Sequence, residues 1–374
     1  MILMRVFAGI MVILLLGACK GKTIKLKVLN QSPYDRISEM VSVDWQEIVR
    51  FLDMAEGRSI IISDSKARQV DYQLIYEGGD TPKYVIFPAD VQAQSAALYT
   101  VQKGTPRKFT ARTYGRYVPE RLDDFAWENN HMAFRMYGPA LIGQVSNGVD
   151  VWLKRTDSLI VNKFYYDDLN NNRSYHIDHG EGLDCYDVGL TLGAGGIAPY
   201  RERLWVGNTY SSYKVLDNGP LRTSFSLTYD SVQIAGEYLR QTLTISLDAN
   251  SRFNKATVVY QGLSDTLMLA VGIALHGEQW KPNTEEVGYI VHSEDHGESG
   301  RIYVSTILPE GISEIKQDGI HVLALAQYHI GHPFVYYFGA GWSKWGITSN
   351  DDWTKYVTGY MLRISQPLKV EFYK

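Results

Sequence analysis

Period-two alternation of apolar and polar residues is the feature that most limits what this chain can fold into. Ile24, Leu26 and Val28 share one face of an early run, Leu243, Ile245 and Leu247 share one face of a later run, and Leu368, Val370 and Phe372 do so at the end. Such alternation puts every second side chain on one side of an extended backbone, so each run reads as a half-buried strand. Turns such as Asn218-Gly219-Pro220 and Pro309-Glu310-Gly311 punctuate the runs, and long helical periodicity is scarce. The pattern predicts an all-β, mostly antiparallel architecture. With 374 residues the chain exceeds one ordinary core. It divides into a small N-terminal β-sandwich over 23–118 and a larger β-domain over 119–374, with extensive contact expected between them. The boundary falls where Arg121-Leu122-Asp123-Asp124 opens a more polar and aromatic texture.

The N-terminus carries a different signal. Residues 1–18 hold one charge, Arg5, and an apolar run from Val6 to Leu16 that is too short to span a bilayer stably. The run ends in Leu16-Gly17-Ala18-Cys19, where small residues suit a signal peptidase and the Cys19 thiol can receive a diacylglyceride. Residues 1–18 therefore read as a lipoprotein signal peptide, Cys19 as the lipidated first mature residue, and 19–22 as the anchor linker. Lys20-Gly21-Lys22 lacks the acidic cluster that marks surface display in Bacteroides-like lipoproteins. The expectation is an outer-membrane lipoprotein on the periplasmic face. Cys185 is the only other cysteine, so the core is expected to hold without an intramolecular disulfide. Removing Arg5 with the leader turns the net charge from −4 to −5, which implies no basic surface for nucleic acid. The 26 Tyr and eight Trp suit both large sheets and sugar faces.

Three stretches concentrate chemistry. The densest runs from Tyr175 to Tyr186 and holds His176, Asp178, His179, Glu181, Asp184 and Cys185, ahead of the glycine-rich Gly193-Ala194-Gly195-Gly196. Two imidazoles and three carboxylates are costly to bury together, so a loop lining a cleft is expected. Proton transfer, metal binding and a solvated polar loop remain open readings of it. His titrates near neutrality and a neighbouring carboxylate can fix its tautomer. A divalent metal at the His176–Asp184 cluster stays open, although the spacing matches no defined metal motif. The glycines lack the Lys-Ser/Thr of a phosphate loop. In the second stretch alternation places His131, Ala133, Arg135 and Tyr137 on one strand face, with Trp127 just before them. An Arg135 fork would suit a substrate carboxylate or sulfate, and equally a structural ion pair. The third comprises Gly331-His332-Pro333, then Gly339 to Gly346 with Trp342 and Trp345 as stacking candidates; His276 is a further cleft candidate. No Gly-x-Ser-x-Gly elbow is present, so hydrolase chemistry would need a carboxylate pair from Asp178, Glu181 and Asp184.

Pro119-Glu120-Arg121 through Trp127-Glu128-Asn129, Phe134 to Ala140, Asp150-Val151-Trp152 and the block from His176 to Gly196 together resemble a family of Bacteroidetes polysaccharide-locus lipoproteins catalogued as a domain of unknown function. The resemblance covers essentially the whole mature chain. It implies a supersandwich of the galactose-mutarotase or polysaccharide-lyase type for the larger unit. It also implies chemistry like that of an ulvan oligosaccharide dehydratase, which leaves a 4,5-unsaturated uronate from a non-reducing-end uronate. Under that resemblance an acidic oligosaccharide is the partner, His176 or His179 and Tyr186 share the roles of base and acid, and Arg135 neutralises the substrate carboxylate. Tyr137, Trp127, Glu181, Asp184, His276, His332, Trp342 and Trp345 are the expected substrate contacts. A glycoside hydrolase or polysaccharide lyase on acidic glycans, and a non-catalytic glycan-binding lipoprotein, are the competing classes.

Overall fold

A computed structural model describes residues 22–54, 59–234, 236–277, 279–280 and 288–373. Cys19 and the leader lie outside the described residues. The expected all-β architecture is what the chain adopts. The described residues form five antiparallel sheets accompanied by three α-helices, Trp45–Leu52, Val161–Asn171 and Asn350–Ser365. None of the described helices is long and apolar enough to cross a membrane.

The N-terminal unit packs two sheets around one core. Thr23–Asn30 lies between Lys369–Tyr373 and Ser95–Lys103 in the first sheet, and Arg36–Asp44 pairs with Tyr84–Val91 in the second. Leu26, Val28, Val43, Phe87 and Val101 meet between them, each contributed by alternation on its own strand. The Trp45–Leu52 helix closes the side; the Asp44 carboxylate accepts from the Gln46 and Glu47 amides at 2.7 and 3.1 Å. Two expected boundaries move. The Lys369–Tyr373 strand, expected in the larger unit, pairs with Thr23–Asn30, so the end of the chain completes the small sandwich. Thr113–Val118, expected in the small sandwich, pairs with Asp124–Asn129 and belongs to the larger unit. Pairing across the sequence decides membership, and alternation alone does not reveal pairing.

The larger unit sets a seven-stranded sheet against two five-stranded ones. Phe225, Leu243 and Phe338 come from the seven-stranded sheet, Trp127 and Phe134 from one of its opponents, and Leu269 and Val322 from the other, all in one continuous core. The seven-stranded sheet ends in Arg301–Ile307 and the edge strand Tyr289–Asp295. The Asn350–Ser365 helix covers its outer face, where Trp353 donates from Nε1 to Ser305 Oγ at 2.7 Å. The Val161–Asn171 helix covers the outer face of the sheet that carries Arg135, over Ala126, Ala133 and Trp152. The glycines at 193–196 serve this packing: Gly193 has φ +56°, and a Cβ there would lie 2.2 Å from the Val149 carbonyl.

The Val161–Asn171 helix lacks a side-chain cap of its own. The fully buried Glu128 carboxylate, on the neighbouring sheet, accepts from the Ile160 and Val161 amides, both at 2.8 Å. Lys154 balances its charge at 2.7 Å and is also fully buried. Removing one partner of such a pair strands the other charge in a low-dielectric interior. Lys154→Met is expected to destabilise the protein by about 3–5 kcal/mol. Urea unfolding checks this as a lower midpoint with an unchanged slope.

Candidate active site

The members of the stretch from Tyr175 to Tyr186 go to different places, because its strand covers only Gly182–Asp184 and the chain leaves the sheet on either side. Gly182–Asp184 is a short strand paired with Asp150–Lys154. Asp184 points under the Val161–Asn171 helix, while Tyr186 enters the sandwich core on the other side. His176 and His179 are exposed on the preceding loop. Their rings donate to backbone carbonyls, His176 Nδ1 to Asp184 at 2.9 Å and His179 Nε2 to Ser174 at 3.1 Å. Neither has a described contact with Tyr186, whose ring neighbour is His276.

Arg135 is the centre of a structural ion cluster. Its guanidinium lies 2.6 Å from Asp150, 2.8 Å from Asp184 and 3.9 Å from Asp124, with the Tyr137 and Trp152 rings within 5.3 Å of its Cζ. With its fork occupied and its side chain 3 % exposed, Arg135 does not reach a substrate carboxylate. Tyr137 and Asp184 belong to the same cluster, their oxygens accepting from Arg135 at 3.3 and 2.8 Å. Trp127 is fully buried, with Nε1 donating to Asn254 at 2.8 Å, and Trp342 is fully buried, with Nε1 donating to the Ser299 carbonyl at 2.7 Å. Neither ring offers a face to sugar. Trp345 is half-buried against the core. Glu181 is paired with Lys163, and Asp178 with Arg155 at 3.1 Å, so each member of the supposed carboxylate pair is held by a cation. Nor do the residues of 176–184 gather a metal-ligand group among the described residues.

Two strands bring together a different set. Thr266–Ala274 runs antiparallel to His321–His329 and releases His276 just beyond its end, where the Leu275 amide still bonds the Ile320 carbonyl. His332 follows the far end of that pairing, which spans roughly 26 Å at 3.3 Å per residue over the eight steps from Thr266 to Ala274. The two histidines therefore do not share a site. The edge strand Tyr289–Asp295 supplies the rest: His292 and Glu294 project from its inner face, and His296 follows one step on. His276 Nδ1 lies 2.7 Å from Glu294 Oε2, His296 Nε2 lies 3.1 Å from the same oxygen, and His292 Nε2 lies 3.1 Å from Oε1. His276 Nε2 donates to the Asp187 carbonyl.

A carboxylate 2 % exposed is costly to keep charged. Burial pushes the Glu294 pKa up, but the three imidazoles bonded to it prevail and hold it well below the usual carboxylate range. Burial likewise lowers the His276 pKa, and Glu294 and the Asp187 carbonyl override it, leaving a net rise. Tyr186 completes the group. Its ring meets His276 edge-on with centroids 4.9 Å apart, and its buried hydroxyl has no hydrogen-bond partner. Burial first, then the Glu294 charge, push its pKa well above the ordinary phenol value, so it carries its proton. Next to it, burial pushes the half-exposed Cys185 thiol up to about 12, which leaves it a poor nucleophile.

Of the sequence-based set, Tyr186 and His276 are the members that the structure brings to Glu294. His292, Glu294 and His296 are absent from that set, although the His292-Ser293-Glu294-Asp295-His296 spacing marks them. Period two puts all three on one face of a strand, and a polar stripe facing a core needs a reason.

The fold defines the class, a two-layer β-supersandwich. An α-mannosidase from Enterococcus faecalis V583 superposes with a TM-score of 0.54 at 10% identity, covering 94% of this chain and 46% of that one. A glycosyl hydrolase family 38 protein from Enterococcus faecalis gives 0.56 at 10% identity, covering 94% and 48%. The chain thus spans just under half the length of these solved proteins. It belongs to the family described as DUF4861, a domain of unknown function, whose model matches residues 28–370. An uncharacterised protein, P7, of Formosa agariphila is 28% identical over 320 residues, 80% of each chain.

The Arg135 cluster yields a pH test. Burial, opposed by Arg135, raises the Asp124 pKa from 3.8 to about 6. Between those values the folded state keeps a proton that the unfolded chain has released, so this group's contribution to stability is lost as pH rises through about 6. Urea midpoints measured at pH 4.5 and pH 7 should fall less for Asp124→Asn than for the natural protein.

Proposed function

We propose that the chain is a carbohydrate-active enzyme that removes water by β-elimination from the non-reducing-end uronate of an acidic oligosaccharide. In this reaction the C5 proton, α to the carboxylate, leaves, its electrons form the C4–C5 double bond, and the C4 hydroxyl departs as water after accepting a proton. The observation that carries the reading is the Tyr186 hydroxyl, protonated, unpartnered and edge-on to an imidazole–carboxylate cluster. It is the proton donor to the leaving hydroxyl. Among the imidazoles around Glu294, His296, whose Nε2 holds the carboxylate, receives the C5 proton at Nδ1, the role expected of His176 or His179. The family resemblance and the sandwich shared with an α-mannosidase support a sugar substrate. Glycoside hydrolysis by Asp178, Glu181 and Asp184 is disfavoured by the cation each one holds. Acylation of Cys19 would tether the enzyme to the periplasmic face of the outer membrane, where shortened oligosaccharides arrive.

Incubation with saturated, glucuronate-terminated oligosaccharides should raise the ultraviolet absorbance of a conjugated alkene and remove the mass of one water. Tyr186→Phe should slow turnover by about 10²–10⁴-fold. Because the hydroxyl is buried without a partner, the same change should leave the melting temperature unchanged or higher. His176→Ala and His179→Ala should keep the natural rate. A uronate panel that gives no unsaturated product, or an undiminished Tyr186→Phe rate, contradicts the proposal.

A further inference from the structure

We propose that His276 Nδ1, Glu294 Oε2 and His296 Nε2 bind a divalent first-row transition metal such as zinc, with one coordination position left open. The three candidate ligand atoms all lie within 4.8 Å of one another. Ligand bonds of about 2.0–2.1 Å in a tetrahedral site separate ligand atoms by about 3.3 Å. The His276–Glu294 and His296–Glu294 contacts, at 2.7 and 3.1 Å, need to open by about 0.6 and 0.2 Å to reach it. Two imidazoles and one carboxylate suit a cation of borderline softness, whereas calcium and magnesium prefer an all-oxygen shell.

The surroundings are those of a built site. His276 Nε2 donates to the Asp187 carbonyl, which leaves Nδ1 as the nitrogen that would lose its proton to bind the ion beside Glu294. Buried His292 donates from Nε2 to Glu294 Oε1 at 3.1 Å, which orients the carboxylate and leaves Oε2 for the ion. Three protein ligands with a fourth position free is the pattern of a metal site that acts on something other than protein. The independent pointer is Tyr186: a fully buried hydroxyl without an internal partner, on a ring that touches ligand His276. A water or substrate oxygen on the ion would give that hydroxyl its partner.

The use of the ion rests on the proposed dehydration; its binding does not. A cation here would neutralise the uronate carboxylate, the role that buried Arg135 is unable to perform. With His276 and His296 committed to the metal, the C5 proton would pass to hydroxide at the open position, formed because the metal lowers the pKa of bound water, and that hydroxide would become water.

The test is metal binding by the untagged mature protein after dialysis against a chelator. Titration calorimetry with zinc chloride alone should give one ion per chain, and the melting temperature should climb with zinc concentration. Cobalt(II) in its place should give the intense visible bands of a tetrahedral site. His276→Ala and His296→Ala should each abolish the cobalt spectrum, His292→Ala should weaken zinc affinity about 10–100-fold, and His176→Ala with His179→Ala should change neither. The cobalt spectrum of the natural sequence needs no variant to fold. Absence of stoichiometric zinc binding, or a cobalt spectrum that survives His296→Ala, overturns the inference. One zinc bound without any elimination would reject the dehydratase reading alone. Elimination at full rate in metal-free protein would reject the metal alone.

Discussion

Glu294 sits where a carboxylate should not be: on the inner face of an edge strand, facing a hydrophobic core, 2 % exposed. An isolated charge there would cost several kcal/mol, and only groups that donate to it make the position tolerable. His276, His292 and His296 supply that compensation from the end of one sheet and the edge of the other. The arrangement therefore depends on both layers of the sandwich holding their places. The long pairings of Thr266–Ala274 with His321–His329 and of Tyr289–Asp295 with Arg301–Ile307 do this.

The protein contains a second buried charge centre, and the contrast is instructive. Around Arg135, three aspartates and stacked rings close over a guanidinium beneath the Val161–Asn171 helix. All three aspartates lie within 4 Å of the guanidinium, and the helix covers the group. Around Glu294, His276 is a quarter exposed at its side chain and Tyr186 brings an unpartnered hydroxyl. The Arg135 cluster is closed beneath a helix; the Glu294 cluster lies at the edge of the core with one imidazole open to solvent.

Alternation along Leu243–Leu247 and Ile24–Val28 was enough to read the all-β fold, because a half-buried strand has few alternative patterns. Which strands join was not legible, and Lys369–Tyr373 shows why: its partner is more than 300 residues away. The same limit governs the site. Residues 175–186 are dense in chemistry along the chain, yet the strand stops at Asp184, and Asp184 and Tyr186 end in different environments. His276 and Glu294 are separated by 18 positions and meet at 2.7 Å only because two sheets converge. Of the site, Tyr186 and His276 could be picked out by residue type. The His292-Glu294-His296 stripe was legible by period alone, although the strand's inward face was not.

Placing the chemistry at the Glu294 cluster, rather than on the 175–186 loop, is the central claim. Histidine ring resonances from isotope-labelled protein, followed while a glucuronate-terminated oligosaccharide is titrated in, test it directly. Shifts confined to His276, His292 and His296, with His176, His179 and His332 unmoved, are the expected result. Shifts at His176 or His179 that leave the Glu294 cluster unperturbed would contradict the account.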